Sequence, residues 1–216
     1  MKKPFKYDAS GLNEAQFEPG SGKRVLKNLL GIKSKRAMDK IEAAAYMMAI
    51  KESAKIYDKG HRFTLKDICK IHKIWLGKIY KWAGQYRNVN VSKGGFQFAA
   101  AKYVPQLMAD FDKNVLRVAT PCRAGSVEEI VAAIAVTHAE LVLIHPFREG
   151  NGRVARIISI LMALQAGLPP LDFGGITGGK RKEYFAAVRA GIGRNYKPME
   201  KVFAAVIRRT LRRYEE

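Results

Sequence analysis

The chain has 216 residues, 48% of them hydrophobic, and carries 39 Lys and Arg against 19 Asp and Glu, for a net charge of +20. This length supports one domain with a buried core, the apolar runs are too short for a transmembrane helix, and the polar start MKKPFKYDAS argues against a signal peptide. Cys69 and Cys122 lack paired-motif spacing, which favours a reducing, cytoplasmic location over a disulfide-stabilised secreted protein.

Apolar residues recur at intervals near 3.6, which predicts a mostly helical chain. Helices are predicted at residues 35–57, 64–80, 102–116, 126–144, 152–166, 180–191 and 198–214. Ser34 and Thr64 are suited to cap the first two helices, and Ser126 with Glu129 forms a capping box at the fourth. The large aromatic side chains expected in the core are Trp75, Tyr80, Trp82 and Phe98.

One β-hairpin is predicted near residues 87–98, between the second and third helices. Val89 and Val91 alternate with polar residues, and Gly94-Gly95 is a dipeptide typical of a two-residue turn. We call the segment Ser92, Lys93, Gly94, Gly95 and Phe96 the flap.

The run HPFREGNGRVAR, His145 to Arg156, links the fourth and fifth helices and carries a dense set of chemical groups. His145 has an ordinary pKa near 6.5, suited to a general base at neutral pH. Glu149 is a hard oxygen ligand of the kind that holds Mg²⁺ together with substrate phosphates. His138 lies seven residues earlier on the same helix face and, without a metal-binding partner spacing, is interpreted as structural. His61 and His72 are interpreted as surface or helix residues.

The second half of this run suits a phosphate group. It leads into a helix N-terminus, where free backbone N–H groups and the helix dipole favour an anion. Gly150 and Gly152 let the backbone approach a phosphate, and Asn151 can donate its amide. Arg153 and Arg156, three residues apart, leave one face of the helix. Together with the base and the metal ligand, these groups predict phosphoryl-type transfer from a nucleotide.

The run resembles the signature of the Fic (filamentation induced by cAMP) family, H-x-F-x-[D/E]-G-N-G-R-x-x-R, at every fixed position. Those positions are filled by His145, Phe147, Glu149, Gly150, Asn151, Gly152, Arg153 and Arg156. The resemblance implies an all-α, Fic-type helical bundle with one β-hairpin flap over the active site. It also implies a protein adenylyltransferase, which transfers AMP from ATP to a Ser, Thr or Tyr hydroxyl of another protein and releases pyrophosphate.

The same resemblance implies a role for each motif residue. His145 would deprotonate the target hydroxyl, and Glu149 would hold Mg²⁺. Asn151 would contact the α-phosphate, while Arg153 and Arg156 would hold the outer phosphates. Phe147 would anchor the loop in the core.

The resemblance covers about residues 19–203 of a single domain spanning 1–216, and leaves a short N-terminal extension, 1–18. The basic C-terminal helix, 198–214, ends the domain. Residues 79–96 resemble the segment that leads into the family's flap, which holds a target by strand pairing, and Lys93 and Gly94 are candidate nucleotide contacts as well. Residues 182–199 resemble the helix and turn that close the nucleotide pocket, with Tyr184 and Asn195 as candidate contacts.

Many Fic proteins are inhibited by a helix with the pattern [S/T]-x-x-x-E-[G/N], whose Glu pairs with the second motif arginine. Three segments come near this pattern, and none matches it fully. In the first, Ser10–Glu14, Ala15 replaces the Gly or Asn that should follow the Glu. Before Glu42, Met38 replaces the Ser or Thr, and after Thr210, Tyr214 replaces the Glu. Residues 17–32 resemble the opening of the branch whose inhibitor is a separate protein. We therefore expect a toxin-like enzyme and a small acidic antitoxin that supplies a Glu to Arg156.

The net charge leaves three explanations open: an acidic protein partner, proximity to DNA, or solubility. Basic residues are spread along the chain without helix-turn-helix or zinc-finger spacing, which argues against direct sequence-specific DNA binding. Two alternatives to AMP transfer remain, a Fic-fold enzyme that transfers a phosphoryl group or UMP, and a basic nucleic-acid-associated binding module without catalysis. The intact His145 favours an enzyme, since anion binding alone needs no base.

Overall fold

Seven α-helices, one short β-hairpin and a few three-residue 3-10 turns form the regular structure in residues 11–123 and 125–215, which the computed structural model describes. The helices are α1 (Lys35–Ile56), α2 (Leu65–Leu76), α3 (Val104–Phe111), α4 (Val127–Ile144), α5 (Asn151–Gln165), α6 (Gly178–Ala190) and α7 (Lys197–Glu215). Helix α3 continues through a wider π-helical turn, Asp112–Leu116, to Ala119. Within the described part of the chain, no helix combines the length and the apolar character needed to cross a membrane.

The caps predicted from the sequence are confirmed. The Ser34 hydroxyl accepts the Ala37 N–H, and Thr64 forms a capping box with Asp67. Ser126 and Glu129 form a second capping box at the start of α4. Helix α2 ends at Leu76, four residues earlier than predicted, because Gly77, a weak helix former, takes the C-cap position and the chain turns there.

The hairpin is shorter than predicted. Strand β1, Ser92–Lys93, pairs antiparallel with strand β2, Phe96–Gln97, and Gly94 and Gly95 form the turn between them. Both glycines have positive φ, 56° and 77°, as a two-residue turn that matches the strand twist requires. The remaining residues of 87–98 are held by other contacts, described below.

Helix α4 lies at the centre of the bundle and contacts α3, α5, α6 and α7. It is apolar around most of its circumference, as expected of a helix buried on several sides. Its fully buried side chains include Ile134 and Ala139, and α5 contributes Val154 and Ile157 to the same core. Trp75, Tyr80 and Trp82 are in the core as predicted, whereas Phe98 is only half-buried. The short link between α4 and α5, residues 145–150, is called the motif loop.

Candidate active site

His145 ends α4 in a left-handed backbone conformation, with φ 54° and ψ 57°. This conformation is uncommon for a residue with a side chain and persists only where its surroundings hold it. Here the buried Arg87 supplies the restraint, since its Nε donates to the His145 carbonyl at 2.7 Å and its backbone N–H donates to the Pro146 carbonyl at 2.8 Å. The motif loop therefore begins in a defined conformation.

The His145 imidazole has one nitrogen engaged and one free. Nδ1 lies 3.0 Å from the Val142 carbonyl oxygen, which can only accept, so Nδ1 carries the proton and Nε2 keeps its lone pair. Phe98 stacks on the ring at a centroid distance of 3.6 Å. Burial, together with the charges of Arg87 and Lys93, lowers the pKa of His145 to about 4. The ring is thus neutral at pH 7, as a general base must be.

Arg87 also holds both legs of the hairpin. Its Nη1 donates to the Val89 carbonyl at 2.9 Å, and its Nη2 donates to the Ala99 carbonyl at 2.6 Å. One guanidinium therefore joins the two ends of residues 89–99 to the backbone of His145. Arg87 was not among the predicted site residues, and its signal in the sequence was an arginine inside the segment that leads into the flap, flanked by Tyr86 and Asn88.

Asn151 closes the motif loop. Its Oδ1 accepts the Phe147 N–H and its Nδ2 donates to the Phe147 carbonyl, both at 2.8 Å. Phe147 is fully buried, so its anchoring role is confirmed. The Asn151 amide that the sequence assigned to a phosphate is thus bonded to the loop itself, and one of its two N–H hydrogens remains for a ligand.

Gly150 is required by packing as well as by backbone conformation. Its φ is 87°, and a Cβ placed there would lie 2.5 Å from Cζ3 of the buried Trp75. The sequence interpretation, close approach of a phosphate, is therefore incomplete for Gly150, because Trp75 fills the space at its Cα. Gly152 fits that interpretation, since an added Cβ would meet no described atom within 4 Å.

We expect Gly150→Ala to destabilise the fold by about 2–5 kcal/mol, from the strained φ and the overlap with Trp75. Gly152→Ala is the matched control, because it adds the same methyl in open space within a helix and is expected to keep or slightly raise stability. Urea unfolding of both variants measures the difference. Equal midpoints for the two variants would contradict the packing argument.

Arg153 is held by two carboxylates and an indole. Its Nη1 lies 3.0 Å from Oε2 of Glu42, its Nη2 lies 3.7 Å from Oε1 of Glu149, and its guanidinium stacks on Trp75 at 4.3 Å. Glu42 is buried on α1 and also accepts the Tyr80 hydroxyl at 2.7 Å. Glu42, the glutamate of one near match to the inhibitory pattern, therefore pairs with Arg153, the first arginine of the motif.

Arg156 is differently placed. Its guanidinium lies over the rings of Phe173 and Tyr184, at 5.3 and 5.9 Å from their centroids. Its Nε is buried without a hydrogen-bond partner, and no carboxylate in residues 11–123 or 125–215 forms an ion pair with it. A buried unpaired N–H of a cation is costly unless an anion binds it.

Tyr184 supports Arg156 from the core. Its hydroxyl lies 2.8 Å from Nε2 of His138, whose Nδ1 lies 3.1 Å from the Ser159 hydroxyl. Because the Ser159 hydroxyl donates to the Ala155 carbonyl, it accepts from His138, and Tyr184 therefore donates to His138. The Tyr184 hydroxyl is thus bonded within the core, and its contact with a nucleotide stays a prediction. His138 is structural, as the sequence indicated.

The remaining predicted site residues lie at the surface. Ser92, Lys93, Gly94 and Gly95 of the flap are exposed, and Phe96 packs edge-on against Phe98 at 5.0 Å. Phe98 in turn covers His145, so the hairpin lies beside the base. Asn195 is exposed, and its Oδ1 accepts the Lys197 N–H at the start of α7, where no described contact links it to Arg156.

Three side chains at the site were missed by the sequence analysis: Arg87, Glu42 and His72. All are polar and buried, with exposures of 2%, 5% and 0%. For Glu42 and His72 the available signal was a charged or titratable residue within an apolar helical stripe, and His72 was interpreted as a surface or helix residue. His72 does lie on a helix, but its side chain is buried and not at the surface.

This chain is similar to known proteins of one family. The family model described as the Fic/DOC family matches residues 62–163. The probable protein adenylyltransferase Fic of Salmonella typhimurium is 31% identical over 150 residues, which cover 68% of this chain and 71% of that protein. The protein adenylyltransferase VbhT of Bartonella schoenbuchensis is 32% identical over 166 residues. The match covers 75% of this chain and 33% of VbhT, so this chain spans about one third of the length of VbhT.

Among solved structures, the BepC protein of Bartonella tribocorum, a VirB-translocated effector with bound AMPPNP, superimposes with a TM-score of 0.67 at 22% identity. The match covers 91% of this chain and 97% of that one. At this identity the likeness establishes the fold, and it confirms the predicted helical bundle with one hairpin.

Proposed function

This chain belongs to the Fic/DOC family, and from that membership and the geometry of the site we propose that it is a protein adenylyltransferase. It would transfer AMP from ATP to a Ser, Thr or Tyr hydroxyl of a target protein and release pyrophosphate. Curated relatives bear the name protein adenylyltransferase, and the BepC structure contains an ATP analogue.

The observation that carries the proposal is a neutral base joined by the motif loop to a helix that carries an unpaired arginine N–H. The free Nε2 of His145 lies at one end of the motif loop, and the N-terminus of α5 with the unpaired Nε of Arg156 lies at the other. His145 would take the proton of the target hydroxyl while the α5 N-terminus and Arg156 hold the phosphates. The flap beside His145 would hold the target segment.

The residues present fit a magnesium ion. Glu149 is half exposed, and its Oε1 accepts the Gly150 N–H at 2.9 Å, while no hydrogen bond or ion pair to Oε2 is formed by the described residues. The described residues contain no cluster of three or more acidic, His or Cys side chains, so nucleotide phosphates would complete the coordination, as is usual for Mg²⁺. Glu149 would then hold the ion, which neutralises phosphate charge during transfer.

The decisive experiment uses ATP labelled at the α or the γ phosphate, incubated with the protein and cell lysate. Protein label from α-labelled ATP alone supports AMP transfer. Label from γ-labelled ATP alone would show kinase chemistry and overturn the proposal. If neither form of ATP labels a protein but the chain binds nucleotide tightly, the chain is a binding module without catalysis.

We expect Arg156→Ala to weaken ATP binding by about 10–100-fold, since a hydrogen bond to a charged group contributes about 1.5–3 kcal/mol. AMP, which lacks the outer phosphates, should lose little affinity. Titration of both nucleotides into the variant by calorimetry measures this. Arg208→Ala, which removes one exposed charge from α7, controls for net charge and should change neither affinity. Equal losses for ATP and AMP would count against an outer-phosphate role.

We further propose a separate acidic partner that inhibits the enzyme by presenting a Glu to Arg156. In the described residues Glu42 pairs with Arg153 and Glu14 accepts the Asn88 N–H at 2.7 Å, so neither occupies Arg156. Ser10, the first residue of the other near match, lies outside the described residues. The +20 charge would attract such a partner, more weakly at high salt. A chain inactive alone but activated by Glu14→Gly would show internal inhibition instead.

Within the cell we expect a cytoplasmic location. Cys69 and Cys122 are unpaired, as reducing conditions keep them, and ATP and Mg²⁺ are available there. Detection of the protein outside the cytoplasm by fractionation would contradict this.

A further inference from the structure

His72 connects two backbone segments beneath the motif loop. It lies on α2 with its side chain fully buried, its Nδ1 lies 2.7 Å from the Gly84 nitrogen, and its Nε2 lies 3.1 Å from the Glu149 carbonyl oxygen. Because the Gly84 N–H can only donate, Nδ1 is the acceptor and the ring proton lies on Nε2. Nε2 therefore donates to Glu149, and both nitrogens are used in a single tautomer.

The peptide unit that His72 holds also holds the Glu149 carboxylate. The carbonyl of the Glu149–Gly150 peptide accepts from His72, and the N–H of the same peptide donates to Oε1 of Glu149 at 2.9 Å. The orientation of this one peptide plane consequently sets the direction in which the carboxylate is held. The half-exposed Glu149 side chain has an i,i+4 ion pair with Arg153 at 3.7 Å as its other described restraint.

The His72 ring fixes the neighbouring residue of the loop as well. It stacks on Phe147 at a centroid distance of 3.9 Å with the two planes only 7° apart. Phe147 is the residue whose N–H and carbonyl are both bonded to Asn151. Stacking and hydrogen bonding by His72 thus act on consecutive parts of the loop, from Phe147 to Gly150.

We propose that His72 is a positioning residue that orients the Glu149–Gly150 peptide and, through it, the carboxylate that would hold Mg²⁺. The metal part of this inference rests on the proposed function. Groups that orient metal ligands typically contribute 10–100-fold to metal affinity. If His72 only filled space, it would contribute packing energy alone. A substitute that imitates Nδ1 and one that imitates Nε2 would then have the same effect.

Two variants separate the two nitrogens. His72→Asn places its Oδ1 near the position of Nδ1 and can still accept from Gly84, but it has no donor at the Nε2 position. His72→Gln places its Nε2 near that of histidine and can still donate to Glu149. Both variants lose the ring and its stacking on Phe147, so their difference isolates the hydrogen bond. His61→Asn, on a partly exposed histidine paired with Asp67, is the control for loss of an imidazole.

The readouts are the Mg²⁺ dependence of fluorescent ATP-analogue binding and the hydrogen exchange of individual amides. In His72→Asn we expect the Mg²⁺ concentration for half-maximal binding to rise roughly 10–100-fold. Exchange at the Gly150 amide, in the peptide that His72 holds, should also quicken in that variant while the Gly84 amide stays protected. In His72→Gln we expect near wild-type Mg²⁺ dependence and a less protected Gly84 amide. His61→Asn should match wild type in both readouts.

Equal Mg²⁺ shifts in the two variants, or no shift in either, would overturn the proposal. If both variants prove too unstable for binding measurements, amide exchange at low temperature decides, since the proposal requires opposite patterns at Gly150 and Gly84. Neither readout needs AMP transfer. A wild-type chain that binds Mg²⁺ and nucleotide without labelling any protein would therefore refute the proposed function and leave the role of His72 tested separately.

Discussion

His145→Ala is expected to lower the rate of AMP transfer by about 10²–10⁴-fold, the usual contribution of a general base. The ring presents a free Nε2, because Nδ1 donates to the Val142 carbonyl. The lowered pKa keeps that nitrogen unprotonated, so the acid limb of the pH–rate profile should lie well below pH 6.5. Nucleotide affinity should change little, since the phosphates would be held at the other end of the loop.

The measurement is single-turnover transfer to a labelled target, with ATP affinity and urea unfolding recorded for the same variant. Arg87 bonds the backbone of residue 145, so its restraint does not depend on the imidazole. His61→Ala, outside the motif loop, is the matched control and should transfer at the wild-type rate. A His145→Ala variant that transfers at the wild-type rate would remove the assignment of the base.

Lowering the pH from 7.5 to 5 is expected to destabilise the fold by on the order of 1–2 kcal/mol for each of three histidines. Burial lowers the pKa of His72 and His145 to about 4 and that of His138 to about 3. The unfolded chain binds protons at these residues near pH 6.5, while the folded chain does not. Stability is therefore full above pH 6.5 and is lost as the pH falls from there toward 4.

Urea midpoints at pH 7.5, 6.5 and 5 measure this loss. Carboxylates with lowered pKa, Asp67 and Asp172, lose their contribution only below their ordinary value of 3.8, outside the window. His145→Asn is the control, because asparagine tolerates the left-handed conformation and the variant should lose about one third of the pH effect. A midpoint that does not move between pH 7.5 and 5 would contradict the prediction.

The helices were predictable because their signals are local. Ser34, Thr64 and Ser126 cap the predicted helices through side-chain bonds within three residues, and α4 and α5 begin and end within one residue of the prediction. The hairpin was predicted too long, because beyond the Phe98 N–H bond to the Val91 carbonyl the two legs are joined by the Arg87 side chain, at Val89 and Ala99, and not by strand pairing. Such contacts leave no periodicity in the sequence.

The motif residues were found by the sequence pattern, whereas their partners were not. His72 and Glu149 are 77 residues apart, and Arg153 and Glu42 are 111 apart. A buried polar side chain looks the same in a sequence as a surface one until its partner is known. For Tyr184, the family pattern indicated a nucleotide contact and gave no sign that the hydroxyl also bonds to His138.

The Arg87 side chain attaches the hairpin to the rest of the fold through backbone acceptors. Every acceptor that it uses, at Val89, Ala99, Ile144 and His145, is a backbone carbonyl, which any amino acid at those positions would supply. Substitutions in residues 92–97 can therefore change the shape and charge of the hairpin tip without removing the bonds through which Arg87 attaches it to His145, whereas Phe98 must stay to cover the ring. The sequence of the hairpin tip and the geometry of the base are therefore separate variables in this fold, because among the described residues Arg87 alone connects the hairpin legs to the His145 backbone through carbonyl groups.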